Sequence, residues 1–205
     1  MAIHAEVLQR RGPGIISDLN TKWHRVGLYA FLGVTLAHWA EHVVQALQIW
    51  LLDMPRPEAR GVLGYLFPTL VSEEWLHYFY ALAMLVGLFV LLPGFAGRSR
   101  FWWKVAIGIQ LWHHVEHLLL LYQAQTDSIL FGKDVPTSVL QLVFQRAELH
   151  LWYNALVFIP MVLAMYWHAY PPPGERERGI TAACSCDRIE ARRSERSERQ
   201  AIASV

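Results

Sequence analysis

Apolar residues dominate four long stretches of the chain, and prolines, glycines or charged residues bound each stretch. The stretches cover approximately 26–52, 74–92, 101–124 and 148–170. A hydrocarbon core of about 30 Å is crossed by roughly 20 helical residues, so each stretch is long enough to span a bilayer. The pattern predicts an all-α integral membrane protein with four transmembrane helices.

The first and third stretches carry the same polar motif. Residues 38–42 and residues 113–117 both have the pattern H-x-x-E-H. The two copies align when 28–48 is laid over 103–123 without a gap. On a helix of about 100° per residue, the first His, the Glu and the last His of one motif share a face. Because the rest of each stretch is apolar, we expect these faces to point towards one another and away from lipid.

The second and fourth stretches also correspond, since His77-x-x-Tyr80 recurs as His150-x-x-Tyr153. The unit of repetition is therefore a helical hairpin. Two tandem hairpins predict a four-helix bundle with a pseudo-twofold axis along the membrane normal. This interpretation divides the chain into a cytoplasmic leader at 1–25, hairpins at 26–98 and 99–170, and a disordered cytoplasmic tail at 171–205.

Composition and charge agree with a membrane protein, because 54% of the residues are hydrophobic and nine are Trp. A net charge of +1 gives no reason to expect nucleic acid as a partner, so the bilayer is the expected one. Lys and Arg concentrate in the leader, in the 93–104 connection and in the tail, which places both termini in the cytoplasm by the positive-inside rule.

The two cysteines, Cys184 and Cys186, both lie in the predicted tail and provide no disulfide framework for the fold. A C-x-C pair is able to bind a soft metal, but tail thiols are more often without a role. His24 and His168 lie at the predicted inner ends of helices, and His4 lies outside them. We interpret these three histidines as interfacial.

A charge at the centre of a membrane helix costs about 2.5–3.5 kcal/mol, so buried carboxylates need partners, protons or a metal. Imidazole and carboxylate groups together bind iron, manganese, zinc or copper(II). The predicted metal ligands are the His and Glu residues of the four helices, namely His38, Glu41, His42, Glu74, His77, His113, Glu116, His117, Glu148 and His150. Tyr80 and Tyr153 are the candidate catalytic residues, with the role of orienting ligands or carrying electrons.

Helical geometry limits this set in two places. His114 lies about 100° around the helix from His113, and Glu148 lies about 160° from His150. We therefore expect His114 to point away from the site, and at most one of Glu148 and His150 to face it. The alternative to a metal is a structural network in which neutral His and protonated Glu bond one another.

A family resemblance covers the clustered histidines of the first and third stretches, which are His38, His42, His113, His114 and His117. They resemble the histidine boxes of membrane fatty-acid desaturases and hydroxylases, and this resemblance implies a di-iron centre that activates oxygen. The spacing Glu74-x-x-His77 is similar to that of the carboxylate di-iron bundles.

The leading hypothesis is a membrane-embedded oxidoreductase with one or two metal ions, iron or copper, that acts on oxygen and a lipid-like or quinone-like substrate and receives electrons from a redox partner. One alternative is a b-type haem protein with axial histidines on facing helices, although haem needs no carboxylates. Another is a proton or divalent-metal carrier whose Glu and His titrate, although the predicted cytoplasmic half is too apolar for a continuous path.

Overall fold

The computed structural model describes residues 14–69, 73–180, 182, 184, 186 and 200. This part of the chain is helical and contains no strand, so the predicted all-α class is confirmed for it. Its seven α-helices are α1 (Ile15–Asn20), α2 (His24–Trp50), α3 (Gly61–Leu66), α4 (Glu74–Leu91), α5 (Gly97–Thr126), α6 (Arg146–Ala169) and α7 (Pro173–Glu177). Short 3₁₀ turns lie at Leu92–Gly94 and Leu140–Leu142.

The four predicted long helices are α2, α4, α5 and α6, with ends that differ from the predicted ones by a few residues. The largest difference is the start of α5, which begins at Gly97 because the Glu175 side chain caps it. Glu175 Oε1 accepts a hydrogen bond of 2.9 Å from the Arg98 backbone N–H. Glu175 belongs to α7, a short helix that was not predicted from the sequence. It lies in the region 171–205, which was predicted to be disordered. The first 13 residues and most of the tail beyond Ile180 lie outside the described residues.

Within the described residues, two helical segments are long and apolar enough to cross a membrane, Glu74–Gly94 and Arg146–Ala169. The helices α2 and α5 are longer, with 27 and 30 residues. They are less apolar because they carry the two H-x-x-E-H motifs and several glutamines. Membrane crossing by α2 and α5 and a cytoplasmic position of both termini stay predictions.

All four long helices expose large apolar side chains. They include Val34, Leu36, Val43 and Leu47 on α2, Phe79 and Val86 on α4, Leu111, Val115 and Leu118 on α5, and Trp152, Leu156 and Ile159 on α6. Extended apolar surface of this kind is a mark of contact with a membrane or with another protein.

The contacts within the chain define two compact units. Unit 1 comprises Met1–Phe31, Phe89–Val105 and Pro160–Val205, and unit 2 comprises Leu32–Leu88 and Ala106–Ile159. The core of unit 1 includes Phe95, Trp103 and Met161. The rings of Phe95 and Trp103 stack with their centroids 4.3 Å apart.

Unit 2 contains segments of all four long helices, and its core is apolar with a few internal hydrogen bonds. Met84, Leu120 and Val157 are among its buried side chains. Gln110, which is also buried, donates a hydrogen bond of 3.0 Å from Nε2 to the Ala81 carbonyl and so links α5 to α4. The core surrounds the histidines described next.

Candidate metal centre

Six histidines from four helices form one cluster in unit 2. They are His38 and His42 on α2, His77 on α4, His113 and His117 on α5, and His150 on α6. Four of them, His42, His113, His117 and His150, are buried, whereas His38 and His77 are half-buried. Imidazoles brought together in this way need donors, acceptors or a cation for their ring nitrogens.

Three of these side chains, His113, His117 and His150, form the most compact part of the cluster, which we call the three-histidine group. His117 Nε2 lies 2.9 Å from His113 Nε2 and 3.3 Å from His150 Nε2. One ligand atom from each side chain lies within 4.8 Å of the other two, so the group could hold a metal ion. His113 and His117 are one helical turn apart on α5, and α6 supplies His150.

A hydrogen bond outside the cluster fixes the proton of His150. Its Nδ1 lies 2.8 Å from the Arg146 carbonyl oxygen, which can only accept. The proton is therefore on Nδ1, and the lone pair of Nε2 is directed at His117. Metal-binding histidines typically donate their second ring N–H to a carbonyl or carboxylate in this way.

The three-histidine group has an incomplete set of hydrogen bonds. His117 Nε2 can donate to only one of its two neighbouring imidazoles, and His117 Nδ1 is buried without a hydrogen-bond partner. Whichever nitrogen of His117 carries the proton, at least one buried lone pair or N–H group is left unsatisfied. A cation bound by the Nε2 atoms would use all three lone pairs, so the residues present fit a metal ion.

The first repeat has an equivalent pair, His38 and His42, whose Nε2 atoms are 3.1 Å apart. His42 Nδ1 donates a hydrogen bond of 2.7 Å to Gln45 Oε1, which again leaves its Nε2 lone pair for the cluster. The ring of His42 lies 5.3 Å from that of His150. This pair thus adjoins the three-histidine group.

His77 adjoins the three-histidine group. Its ring centroid is 5.9 Å from that of His117 and 6.0 Å from that of His150. His77 Nδ1 lies 3.3 Å from the Glu73 carbonyl oxygen, so its proton is also held on Nδ1. His77 is the repeat counterpart of His150 and makes the same type of backbone hydrogen bond, four residues back along its helix.

The two candidate catalytic tyrosines stack on histidines of the cluster. Tyr80 stacks on His38 with ring centroids 3.6 Å apart, and Tyr153 stacks on His113 at 4.4 Å. Tyr80 also donates a hydrogen bond of 3.3 Å to the Val34 carbonyl. Each tyrosine therefore packs against an imidazole of the cluster, and the roles of orienting ligands and carrying electrons stay predictions.

The glutamates of the two motifs contact loop backbone. Glu41 Oε1 accepts a hydrogen bond of 2.6 Å from the Leu63 N–H in α3. Both carboxylate oxygens of Glu116 lie 3.3 Å from the Leu140 nitrogen in the equivalent connection of the second repeat. Each glutamate thus anchors the loop that follows its own helix, and their metal-binding role stays a prediction.

The loop contact of Glu41 gives a testable stability difference between two glycines. Gly61 has a φ of +70°, and a β-carbon there would collide with the Glu41 carboxylate. Gly61→Ala should therefore destabilise the protein by about 2 kcal/mol, from strain at positive φ and the displaced carboxylate. Gly33→Ala is the matched control, because Gly33 is in α2 with nothing within 4 Å of an added β-carbon.

Thermal unfolding of the purified variants measures the difference. Alanine should stabilise the helix at position 33 by roughly 0.5–1 kcal/mol, so the two substitutions should shift the midpoint in opposite directions. Equal shifts would show that the contact between Glu41 and the α3 backbone contributes nothing.

The glutamates of the other two helices form ion pairs. Glu74 pairs with Arg146, with N–O distances of 2.5 and 2.8 Å, and Glu148 pairs with Arg56 at 2.7 and 2.9 Å. These carboxylates face guanidinium groups, while His150, two residues after Glu148, faces the cluster.

His114 lies outside the cluster, and its ring centroid is 5.1 Å from that of Tyr78.

Two clefts reach the cluster. A mainly apolar cleft of about 320 Å³ is lined by α2, α3 and α4 and includes Ala37, His38, His77 and Tyr80. A more polar cleft of about 210 Å³ includes His42, His150 and the two paired arginines. One cleft thus suits an apolar molecule and the other a small polar one.

Unit 1 contains a second group that could hold a metal ion, consisting of His24, His168 and Cys184. Sequence reasoning assigned these histidines to the membrane interface and the cysteine to a disordered tail. The available signal was weak, because the three residues are far apart in sequence and only the C-x-C spacing pointed to a metal. The structure brings them together by returning the chain after α6.

Comparison with models of protein families, with curated proteins and with solved structures finds no match to this chain.

Proposed function

We propose that unit 2 is the metal centre of a membrane-embedded oxidoreductase. The centre holds one or two redox-active ions, iron or copper, and acts on oxygen and a lipid-like or quinone-like substrate. The observation that carries this proposal is the convergence of three buried imidazoles, those of His113, His117 and His150, with one ligand atom of each within 4.8 Å of the other two.

The distribution of charge around the cluster favours a metal over a structural polar network. The four glutamates are engaged by backbone N–H groups or arginines, and none of them is hydrogen-bonded to an imidazole. A structural network would instead pair the acidic groups with the histidines. His42, His77 and His150 donate outwards through Nδ1 and present Nε2 inwards, which is the arrangement that metal ions bind.

The donor set guides the choice of metal. Imidazole suits iron, copper, zinc and nickel, and only the redox-active members of this series serve an oxidoreductase. Haem is disfavoured because the Nε2 atoms of His117 and His150, which lie on facing helices, are 3.3 Å apart and leave no gap for a porphyrin between them. The pair His38 and His42 would bind a second ion. The duplication would therefore produce a dinuclear centre.

The exposed apolar faces support insertion of all four long helices into a membrane. We propose that α2 and α5 cross it together with α4 and α6, and that both termini are cytoplasmic. In this arrangement the polar motifs face the inside of the bundle, and side chains such as Leu47 and Leu118 face lipid. The protein should stay in the membrane pellet after an alkaline carbonate wash, and its release into the supernatant would contradict the proposal.

The apolar cleft beside His38 and Tyr80 is the proposed entry for the substrate. A quinol that reaches the centre would give up two electrons and two protons, and two quinols together would reduce one oxygen molecule to two waters. A redox centre next to an apolar cleft open along three helices suits a substrate that diffuses in the bilayer.

Blocking this cleft provides a test of the substrate class. Ala37→Trp should fill the cleft and lower the rate of oxygen consumption with a short-chain quinol by at least about 10-fold. Its metal content should stay at the wild-type level. Ala40→Trp is the control, because Ala40 is exposed on the same helix and does not line the cleft. Equal rates in the two variants would show that quinols do not enter here.

Elemental analysis with absorption spectroscopy tests the proposed metal centre directly. The purified full chain, expressed in metal-replete medium, should contain iron or copper and should show no Soret band. His150→Ala should lose this metal, and His114→Ala should keep it. A chain that contains neither iron nor copper would overturn the proposal, as would a Soret band that His150→Ala removes.

A further inference from the structure

Unit 1 has its own set of metal-binding side chains. His24 begins α2, His168 lies in the last turn of α6, and Cys184 follows α7. One ligand atom from each lies within 4.8 Å of the other two, and His168 Nε2 is 3.0 Å from Cys184 Sγ. Cys184 is joined to Cys186 in a disulfide, and Cys186 is 6% exposed. Two imidazoles and two sulfurs therefore meet in one place.

Three of the four ring nitrogens in this set lack a hydrogen bond of standard geometry. His24 is 0% exposed, and neither of its ring nitrogens makes a hydrogen bond of standard geometry. His168 is also buried, and its Nδ1 has no partner either. Buried polar atoms without partners are costly. The centroids of these two rings are 5.0 Å apart. Their position indicates a ligand that contacts both imidazoles and the Cys184 sulfur.

The ring of His24 is held in place by backbone. Asn20, which is 0% exposed, donates a hydrogen bond of 2.7 Å to the Val90 carbonyl and accepts one of 2.9 Å from the Gly94 N–H. These bonds hold Gly94 against His24, where a β-carbon would collide with the imidazole. A ligand fixed in this way on rigid elements is a feature of a built site.

We propose that His24, His168, Cys184 and Cys186 form a thiol-dependent zinc site. Zinc takes four ligands in a tetrahedron, with bonds of about 2.0–2.1 Å to imidazole and about 2.3 Å to thiolate. Two His and two Cys complete this set. The site is separate from the three-histidine group and does not depend on the function proposed for unit 2.

The disulfide is the form of the site that cannot bind zinc, because its sulfurs are not thiolates. A dithiol reductant opens it by passing two electrons to the Cys184–Cys186 bond. The reductant becomes a disulfide, and its two protons move to the protein thiols. Zinc then binds both sulfurs and displaces these two protons. The bound ion ties the segment after α7 to α2 and α6, so zinc occupancy follows the thiol redox state of the surroundings.

Cobalt(II) titration of the purified full chain tests this site without interference from unit 2. Cobalt replaces zinc and gives a thiolate charge-transfer band, and Cys184 and Cys186 are the only cysteines in the chain. The band should appear with one cobalt per chain after reduction with dithiothreitol. Zinc should bleach it, and oxidation to the disulfide should abolish it.

Substitutions localise the band to the proposed ligands. Cys184→Ser and His168→Ala should each weaken cobalt binding at least 10-fold, whereas His114→Ala should leave it unchanged. Thermal unfolding of each apo variant shows whether it is folded, and the comparison of reduced with oxidised wild-type protein needs no substitution. A reduced wild-type chain without the band, or a band that persists in His168→Ala at wild-type affinity, would overturn the proposal.

Discussion

Replacing His117 by alanine is expected to remove the metal from unit 2, whereas replacing Glu116 by glutamine is expected to leave it bound. His117 Nε2 lies in the middle of the three-histidine group, within 3.3 Å of both neighbouring Nε2 atoms. Glu116 contacts the Leu140 backbone nitrogen, and glutamine keeps an acceptor oxygen for that contact. Removing one of three ligands should lower metal affinity well beyond the 10–100-fold expected for an outer-shell residue.

The measurement is the iron and copper content of the purified protein, made in a Cys184→Ser background so that the site in unit 1 does not contribute. His114→Ala is the matched control, since His114 is on the same helix and outside the three-histidine group. If Glu116→Gln loses the metal as completely as His117→Ala, the carboxylate is a ligand and the structure-based assignment is wrong.

The second large effect is a loss of stability in Gln123→Ala. Gln123 is 0% exposed, and its side-chain oxygen accepts hydrogen bonds from the Leu130 and Thr137 N–H groups at 3.0 and 3.3 Å. Its amide nitrogen donates to the Thr137 and Leu119 carbonyls at 2.9 and 3.1 Å. Alanine leaves several of these backbone groups unsatisfied at about 1–3 kcal/mol each, so we expect a loss of about 3–5 kcal/mol.

The repeat supplies a matched control for this substitution. Gln48 is the counterpart of Gln123, but it is half-buried and accepts one hydrogen bond, of 2.9 Å, from the Gly61 N–H. Gln48→Ala should therefore cost only about 1 kcal/mol. Thermal unfolding of both variants in detergent checks the difference. Equal losses would show that the buried network around Gln123 does not stabilise the loop.

The two repeats use the same residues to hold different loops. Glu41 and Gln48 bind the backbone of α3, while Glu116 and Gln123 bind the connection between α5 and α6. Laying one half of the sequence over the other detected the shared His, Glu and Gln, and the metal-binding role predicted for the glutamates stays a prediction. Helical spacing places Glu and His on one face within about 100° and does not tell which of them reaches the loop and which the cluster.

The sequence by itself determined the helices and the histidines. Long apolar runs predicted α2, α4, α5 and α6, because helix formation depends on residues close together in the chain. The two repeated motifs, H-x-x-E-H and H-x-x-Y, singled out the six histidines that converge in unit 2, since ionisable residues within apolar helices are rare and usually functional.

Only the tertiary structure decided how these groups are partnered. Glu74 pairs with Arg146, 72 positions away, and Glu148 pairs with Arg56, 92 positions away. Glu175 caps a helix that begins 78 residues before it, at Gly97. His24, His168 and Cys184 likewise meet although they come from opposite ends of the chain. Such pairings depend on which surfaces meet when the helices pack, and local sequence patterns carry no information about that meeting.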